Sequence, residues 1–205
     1  MLTTNKQNLL HVAARAGNTA AVEMLIARLD VNASDRWHRI PLHWAILNHH
    51  PAVVAFLLQA GADPNFRIRE GAHKKRTNLK QQPPLHLAAR TCHSSAAVLQ
   101  VRHLLAAGAD ASLRDGDGQT PLHHAALFVP STERSDGDGG GGDDDDGDQY
   151  QHVRSIIAAL VGADADLNGR DTAGLTPLDL AGTSGGGGLL LSWLHAAGYQ
   201  EPDLH

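Results

Sequence analysis

Thr120-Pro-Leu-His-His-Ala-Ala126 recurs, with variations, along the whole sequence. Aligned on Leu10, Leu42, Leu85, Leu122 and Leu178, the other copies read Asn8-Leu-Leu-His-Val-Ala-Ala14, Ile40-Pro-Leu-His-Trp-Ala-Ile46, Pro83-Pro-Leu-His-Leu-Ala-Ala89 and Thr176-Pro-Leu-Asp-Leu-Ala-Gly182. Self-similarity of this kind marks a repeat architecture, in which each unit buries its apolar face only against its neighbours. Each copy is followed by a second apolar stretch and then a Gly-Ala-Asp-like ending: Leu29-Asp-Val-Asn32, Gly61-Ala-Asp-Pro-Asn65, Gly108-Ala-Asp-Ala-Ser112, Gly162-Ala-Asp164 and a degenerate Ala197-Gly198.

The unit has a physical reading. Thr120 and Thr176 stand where a helix N-cap belongs, and Pro121 and Pro177 occupy the first helical position, where a missing N–H costs nothing and φ is already set. The following Leu and Ala pair are small enough for this short helix to lie against its neighbours. Val53, Val54, Phe56, Leu57 and Leu58 show the pattern of a second helix, packed antiparallel on the first. Gly61, Gly108 and Gly162 then fall where a left-handed residue closes that helix, and Asp-x-Asn turns the chain outward. Asp115-Gly-Asp-Gly118 and Asp171-Thr-Ala-Gly174 carry the turn residues of a β-hairpin-like finger between units.

Signature, second helix, ending and finger in this order resemble the ankyrin repeat, a unit of about 33 residues with a Thr-Pro-Leu-His-x-Ala motif. The resemblance covers nearly the whole chain and implies an all-α solenoid of five stacked helix-turn-helix units. The repeats run at about residues 5–33, 34–66, 81–113, 115–168 and 170–199. It also implies a concave groove, lined by first helices and fingers, where protein partners bind. Carried over by position, the contact residues are Arg15, Arg36, Trp37, Arg39, Leu47, Asn48, Arg90, Asp117, Gln119, Leu127 and Phe128. Trp and Arg are typical interface anchors, and Trp37 on a finger either serves so or covers Pro41 or Trp44 as local packing. Trp44, where leucine is usual, is expected in the core. His11, His43, His86 and His123 occupy the family's structural histidine position and are expected to tie one repeat to the next.

The departures from a 33-residue period can be placed. Leucine spacings are 32, 43, 37 and 56. A few extra residues fall near Thr91-Cys-His-Ser-Ser95, and the finger at 66–82 is about ten residues long beyond the usual. That finger carries Arg67, Arg69, Lys74, Lys75, Arg76 and Lys80 against one acid. Repeat four is split over 129–149 by a stretch holding four consecutive glycines and the acid run Asp143–Asp146. Such a composition has almost nothing apolar to offset ordering entropy and is expected to be disordered.

Composition narrows the function. The chain has 205 residues, 42% of them hydrophobic and only 4% aromatic, as suits thin helices packed through small side chains. Residues 1–120 hold 14 of the 17 Lys and Arg against 8 acids, whereas the remainder has 3 bases and 14 acids. This dipolar distribution orients charged partners during encounter without bearing on the fold. One cysteine, Cys92, excludes an internal disulfide and any multi-cysteine zinc site. With no apolar run of signal-peptide or membrane-span length, the expectation is an intracellular, monomeric protein of cytoplasm or nucleus that does not engage a membrane.

No nucleophile motif, phosphate-binding loop or dinucleotide fingerprint is present, so neither catalysis nor a cofactor has support. The histidine pairs 49/50 and 123/124 are adjacent rather than spaced by four, which leaves metal binding the least supported reading. Asp136-Gly-Asp-Gly-Gly-Gly lacks the fifth- and twelfth-position ligands of a calcium loop. Protein binding through groove and fingers is the leading reading. Nucleic-acid or other polyanion binding by the basic finger is weaker, because aromatic residues are not interleaved and the acidic half repels phosphate. The glycine run 185–188 makes repeat five a loosely attached cap, expected to exchange its backbone amides first; strongest protection within 170–199 in hydrogen exchange would overturn this.

Overall fold

The computed structural model describes residues 8–68, 81–92, 94–130 and 145–197, with 145–149 as backbone alone. Ten helices occur among the described residues, in five pairs: α1 (Leu9–Arg15) with α2 (Thr19–Ile26), α3 (Pro41–Leu47) with α4 (Pro51–Gln59), α5 (Pro84–Arg90) with α6 (Ser95–Ala106), α7 (Pro121–Ala126) with α8 (Asp145–Val161), and α9 (Pro177–Thr183) with α10 (Gly187–Ala196). Odd-numbered helices pack on one another in order, and even-numbered ones do the same, so the solenoid has two helical layers. No helix among the described residues is long and apolar enough to cross a membrane.

The core follows the signature. Leu10, Leu42, Leu85 and Leu122 are buried, and Ala14, Ala45, Ala88, Ala89, Ala125, Ala126 and Ala181 let the first helices approach closely. Each fully buried leucine contributes on the order of 2 kcal/mol over leaving it in water. Second helices add Val22, Val53, Val54, Leu57, Val101, Leu104, Ile156, Ile157 and Leu160. Cys92 is buried in the same core, and burial pushes its thiol up to about 12, so it acts as a packed apolar group.

Second helices close through a left-handed residue at Gly61 (φ +88°) and Gly108 (φ +86°). In repeat four that role falls to Asp164 (φ +56°), not to Gly162 as the motif suggests. The hydrogen bonds show why: the Ala62 N–H reaches Leu57 O, Ala109 reaches Leu104 O, and the equivalent bond in repeat four runs from Ala165 to Leu160 O. Gly162 still donates to Ala158 O inside the last helical turn. Helix α8 ends at Val161, and the closing left-handed residue falls two positions after Gly162, at an aspartate, which tolerates that region.

The interruption of repeat four is narrower than the expected 129–149. Val129 is buried, because the chain leaving α7 still has an apolar side chain to place, and α8 already begins at Asp145. A helix nucleated by the apolar stretch 153–160 extends cheaply in the N-terminal direction. The remainder of the insert, 131–144, lies outside the described residues. So do 69–80, and with them Arg69, Lys74, Lys75, Arg76 and Lys80 of the basic finger, while Arg67 is exposed at its root.

Two sets of polar bonds tie repeat to repeat. Along the outer edge, Asn32 Nδ2 donates to Gly61 O at 3.1 Å while Asn32 Oδ1 accepts the Asp63 N–H at 2.9 Å. Asn65 makes the same pair of bonds to Gly108 O and Asp110 N–H. At the third junction the residue is Ser112, whose shorter side chain makes one long contact, 3.4 Å to Asp164 O. Asn65→Ala is expected to destabilise the fold by about 1–2 kcal/mol, two lost inter-repeat bonds, while Ser112→Ala costs less than about half of that. Equal losses in urea denaturation would show that the asparagine bonds do not couple the repeats.

Candidate functional site

The signature histidines sit at the junctions of the first-helix layer. His11 Nε2 donates to Arg39 O (3.1 Å), His86 Nε2 to Gln119 O (2.9 Å) and His123 Nε2 to Leu175 O (3.2 Å), each acceptor being the residue just before the next repeat's cap. The other ring nitrogen faces its own cap: the N–H of Asn8, Ile40 and Thr120 points at Nδ1 of His11, His43 and His123. Accepting at Nδ1 and donating at Nε2 is a role only the neutral ring performs. The pattern fails in two places with plain causes. Pro83 caps α5 and has no N–H, so His86 Nδ1 is buried without a partner. At His43, whose repeat precedes the long finger, the Gln82 and Phe66 carbonyls stand near the ring but Nε2 makes no well-formed hydrogen bond among the described residues, and the ring meets Phe66 edge-on at 6.0 Å.

The fingers are closed by aspartate. In the first, Asp35 Oδ1 accepts the backbone N–H of Trp37 (2.8 Å) and Arg39 (3.0 Å), and the Asp35 N–H donates to Arg39 O. Asp115 and Asp171 repeat the arrangement. Gly118 and Gly174 supply the positive φ these turns need; in the first finger His38 adopts it instead, at φ +57°. The second oxygen of each carboxylate is free to reach a side chain. Asp35 Oδ2 accepts Trp44 Nε1 at 3.0 Å, and Asp171 Oδ2 accepts Gln119 Nε2 at 3.2 Å. Asp115 Oδ2 accepts from His124 Nε2 at 2.9 Å in a buried hydrogen-bonded pair that Gln82 and the ring of His86 adjoin. Burial alone would raise the Asp115 carboxyl, but the His124 bond and charge, with the Gln119 and Asp117 N–H groups, bring it down to about 2.

The Asp35 bond puts Trp44 somewhere other than the core expected for it. Half-buried on α3, it meets Trp37 edge-to-face, with ring centroids 6.1 Å apart. Three guanidiniums cover the two indoles: Arg36 over Trp37 at 4.4 Å, Arg39 over Trp44 at 5.0 Å and Trp37 at 5.6 Å, and Arg15, from the end of α1, over Trp44 at 5.4 Å. Of the expected contact residues, Arg15, Arg36, Trp37 and Arg39 are thus brought together, with Trp44 as a member that leucine-like spacing disguised. A ring whose polar N–H needs a partner is the signal that distinguishes it from a core leucine.

The other expected contacts are dispersed. Leu47, Arg90 and Leu127 stand at the position of Arg15 on α3, on α5 and just past α7; Leu127 is exposed, while Leu47 and Arg90 are half-buried. Asn48 caps α3, its Nδ2 donating to Trp44 O at 2.8 Å. Gln119 is engaged with Asp171, the Asp117 carbonyl accepts the Thr172 N–H of the next finger, and Phe128 packs against the core. Among the described residues no group of three or more His, Cys, Asp or Glu is placed to hold a metal ion.

Comparison with known proteins agrees with this geometry. A family model described as ankyrin repeats (3 copies) matches residues 1–68. The chain is built from ankyrin repeats. It is 30% identical over 202 residues to the poly [ADP-ribose] polymerase tankyrase of Caenorhabditis elegans, covering 86% of this chain and 8% of that protein. It is 34% identical over 106 residues to the putative palmitoyltransferase ZDHHC13 of Danio rerio, covering 52% of this chain and 14% of the relative. With the oxysterol-binding protein-related protein 1 of Rattus norvegicus the figures are 40% over 85 residues, 40% and 8%. The chain thus spans a small part of each relative's length, and the relatives differ in the activities their names state.

The ankyrin histidines make stability pH-dependent. Burial holds all four below the ordinary value, His43 at about 3 with the Arg39 charge adding to the effect, and His86 at about 4 with His124 adding. Because the folded values are depressed, stability is full above the unfolded value near 6.5 and falls as the pH drops below it; Asp115, held low in the fold, adds its own loss only below about pH 4. At pH 5 the loss is expected to be about 2 kcal/mol for each of His43 and His86. Urea melts at pH 7 and pH 5 measure it, and His86→Gln is expected to reduce the difference by the share of one histidine.

Proposed function

We propose that this chain is a non-catalytic protein-interaction module, acting as adaptor, inhibitor or scaffold, and that it binds a protein partner through the concave groove and the finger loops. Ankyrin repeats generally mediate protein–protein interaction, and the observation that carries the reading here is the placement of Trp37. It projects from a finger, half-exposed, on a platform made rigid by the Asp35 turn and by Trp44. A large ring held in one orientation, at little entropic cost and with arginines around it, has the character of an interface anchor. The exposed Leu127 farther along the first-helix layer supplies apolar surface of the kind such interfaces cover. The described finger aspartates and signature histidines are spent on turns, caps and inter-repeat bonds, which supports a scaffold rather than a reaction centre.

Affinity capture from extracts of the native host tests the assignment. Trp37→Ala and Arg39→Ala are expected to lose the partners that the unaltered chain retains, with melting temperatures checked in parallel. The Arg39 carbonyl that His11 needs survives both changes. An unchanged set of partners would remove the first finger from the interface.

A further inference from the structure

The first finger holds more positive charge than it neutralises. Asp35 is the carboxylate at its centre, and it is buried and fully occupied: Oδ1 takes two backbone N–H groups and Oδ2 takes the Trp44 indole N–H. Arg15, Arg36 and Arg39 have no ion pair or hydrogen-bond acceptor among the described residues, and the Arg39 Nε is out of solvent contact without a partner. Their planar faces rest on Trp37 and Trp44, which holds them in place and leaves their N–H edges unmatched. Stacking on a ring does not cancel a charge. An arranged group of guanidinium edges recognises carboxylates in two-pronged fashion, and its preorganisation lowers the ordering cost of binding.

We propose that Arg15, Arg36 and Arg39, stacked on Trp37 and Trp44, form a receptor for the carboxylates of an acidic peptide segment in the partner protein. The proposal rests on the protein-binding reading of the groove and specifies the chemistry that reading leaves open. Two features favour a peptide over a nucleic acid. Guanidiniums lie over both indoles and the two rings meet each other, which leaves less ring face on which a base could stack. Farther along the first-helix layer, Leu47, Arg90 and Leu127 alternate apolar and basic character. That alternation suits a segment mixing Asp or Glu with apolar residues rather than a uniform chain of phosphates.

The full chain carrying Trp193→Phe allows a direct test, since its tryptophan emission then comes from Trp37 and Trp44 alone. The probe is a capped decapeptide of eight glutamates and two leucines, with its glutamine counterpart as control. Saturable change in emission with the glutamate peptide is expected, and a response at least about tenfold weaker with the control. Arg36 is exposed, so Arg36→Gln is expected to fold normally and to weaken binding by about tenfold, with Arg15→Gln similar and the double change weakening it to the assay's limit. Absence of a saturable response up to about 1 mM, equal binding of the glutamine peptide, or full retention by the double variant would overturn the proposal. So would a single-stranded oligonucleotide that binds more tightly than the peptide and loses its affinity in the same variants, because the site would then serve nucleic acid. If the peptide fails while Trp37→Ala still loses captured partners, the groove stands and only its acidic preference falls. If the peptide binds while capture is unchanged, the site is real but lies outside the partner interface.

Discussion

The hydrogen bond from a signature histidine to the carbonyl that precedes the next repeat ties the first-helix layer at three junctions among the described residues, those of His11, His86 and His123. It crosses the junction between units, fixes the spacing of successive first helices and requires a neutral ring that accepts from its own cap and donates to its neighbour. Everything else in the first-helix layer is arranged around it. The alanines allow the helices close enough for the bond to form, the cap orients the ring, and the finger aspartate holds the accepting carbonyl at the end of a closed turn. Where a cap cannot play its part, as at Pro83, the bond across the junction persists but a buried nitrogen goes unpaired. Stability of this kind is local and additive, repeat by repeat, as expected of a quasi-one-dimensional fold.

The finger aspartates show how a structural device becomes a site. Each uses one oxygen for the turn and has the other to spare, and what that second oxygen meets differs from finger to finger. Asp171 takes the Gln119 side chain and stitches two fingers together, whereas Asp115 takes His124 and forms a buried polar cluster. Asp35 takes the Trp44 indole, which stands the ring upright beside Trp37 and gives three arginines a platform. The first finger thus ends with its carboxylate oxygens taken by neutral N–H donors and with three guanidiniums around a single Asp35 charge.

Much of this was legible in the linear order of residues. Threonine, proline, leucine, histidine and the alanine pair each act locally or across one junction, so the helix starts, the core leucines and the role of the histidines follow from residue type and spacing. Reading failed where two positions compete for one role. Gly162 looks like the closing glycine of α8, yet helical hydrogen bonding continues through it and Asp164 takes the left-handed turn. Trp44 stands at a leucine position and reads as core, because nothing in its own repeat reveals that a buried aspartate nine residues earlier needs a donor.

Sequence alone therefore determined the repeat, its number and the architecture, since these rest on periodic, short-range chemistry that any copy of the motif repeats. The tertiary structure decided which of the scattered arginines and tryptophans form one surface. Arg15 comes from one repeat and Arg36, Trp37, Arg39 and Trp44 from the next, and only the stacking of α1 on α3 closes that gap. Whether a charge is matched or left open depends on every neighbour at once, and that is a property of the packed fold rather than of any motif.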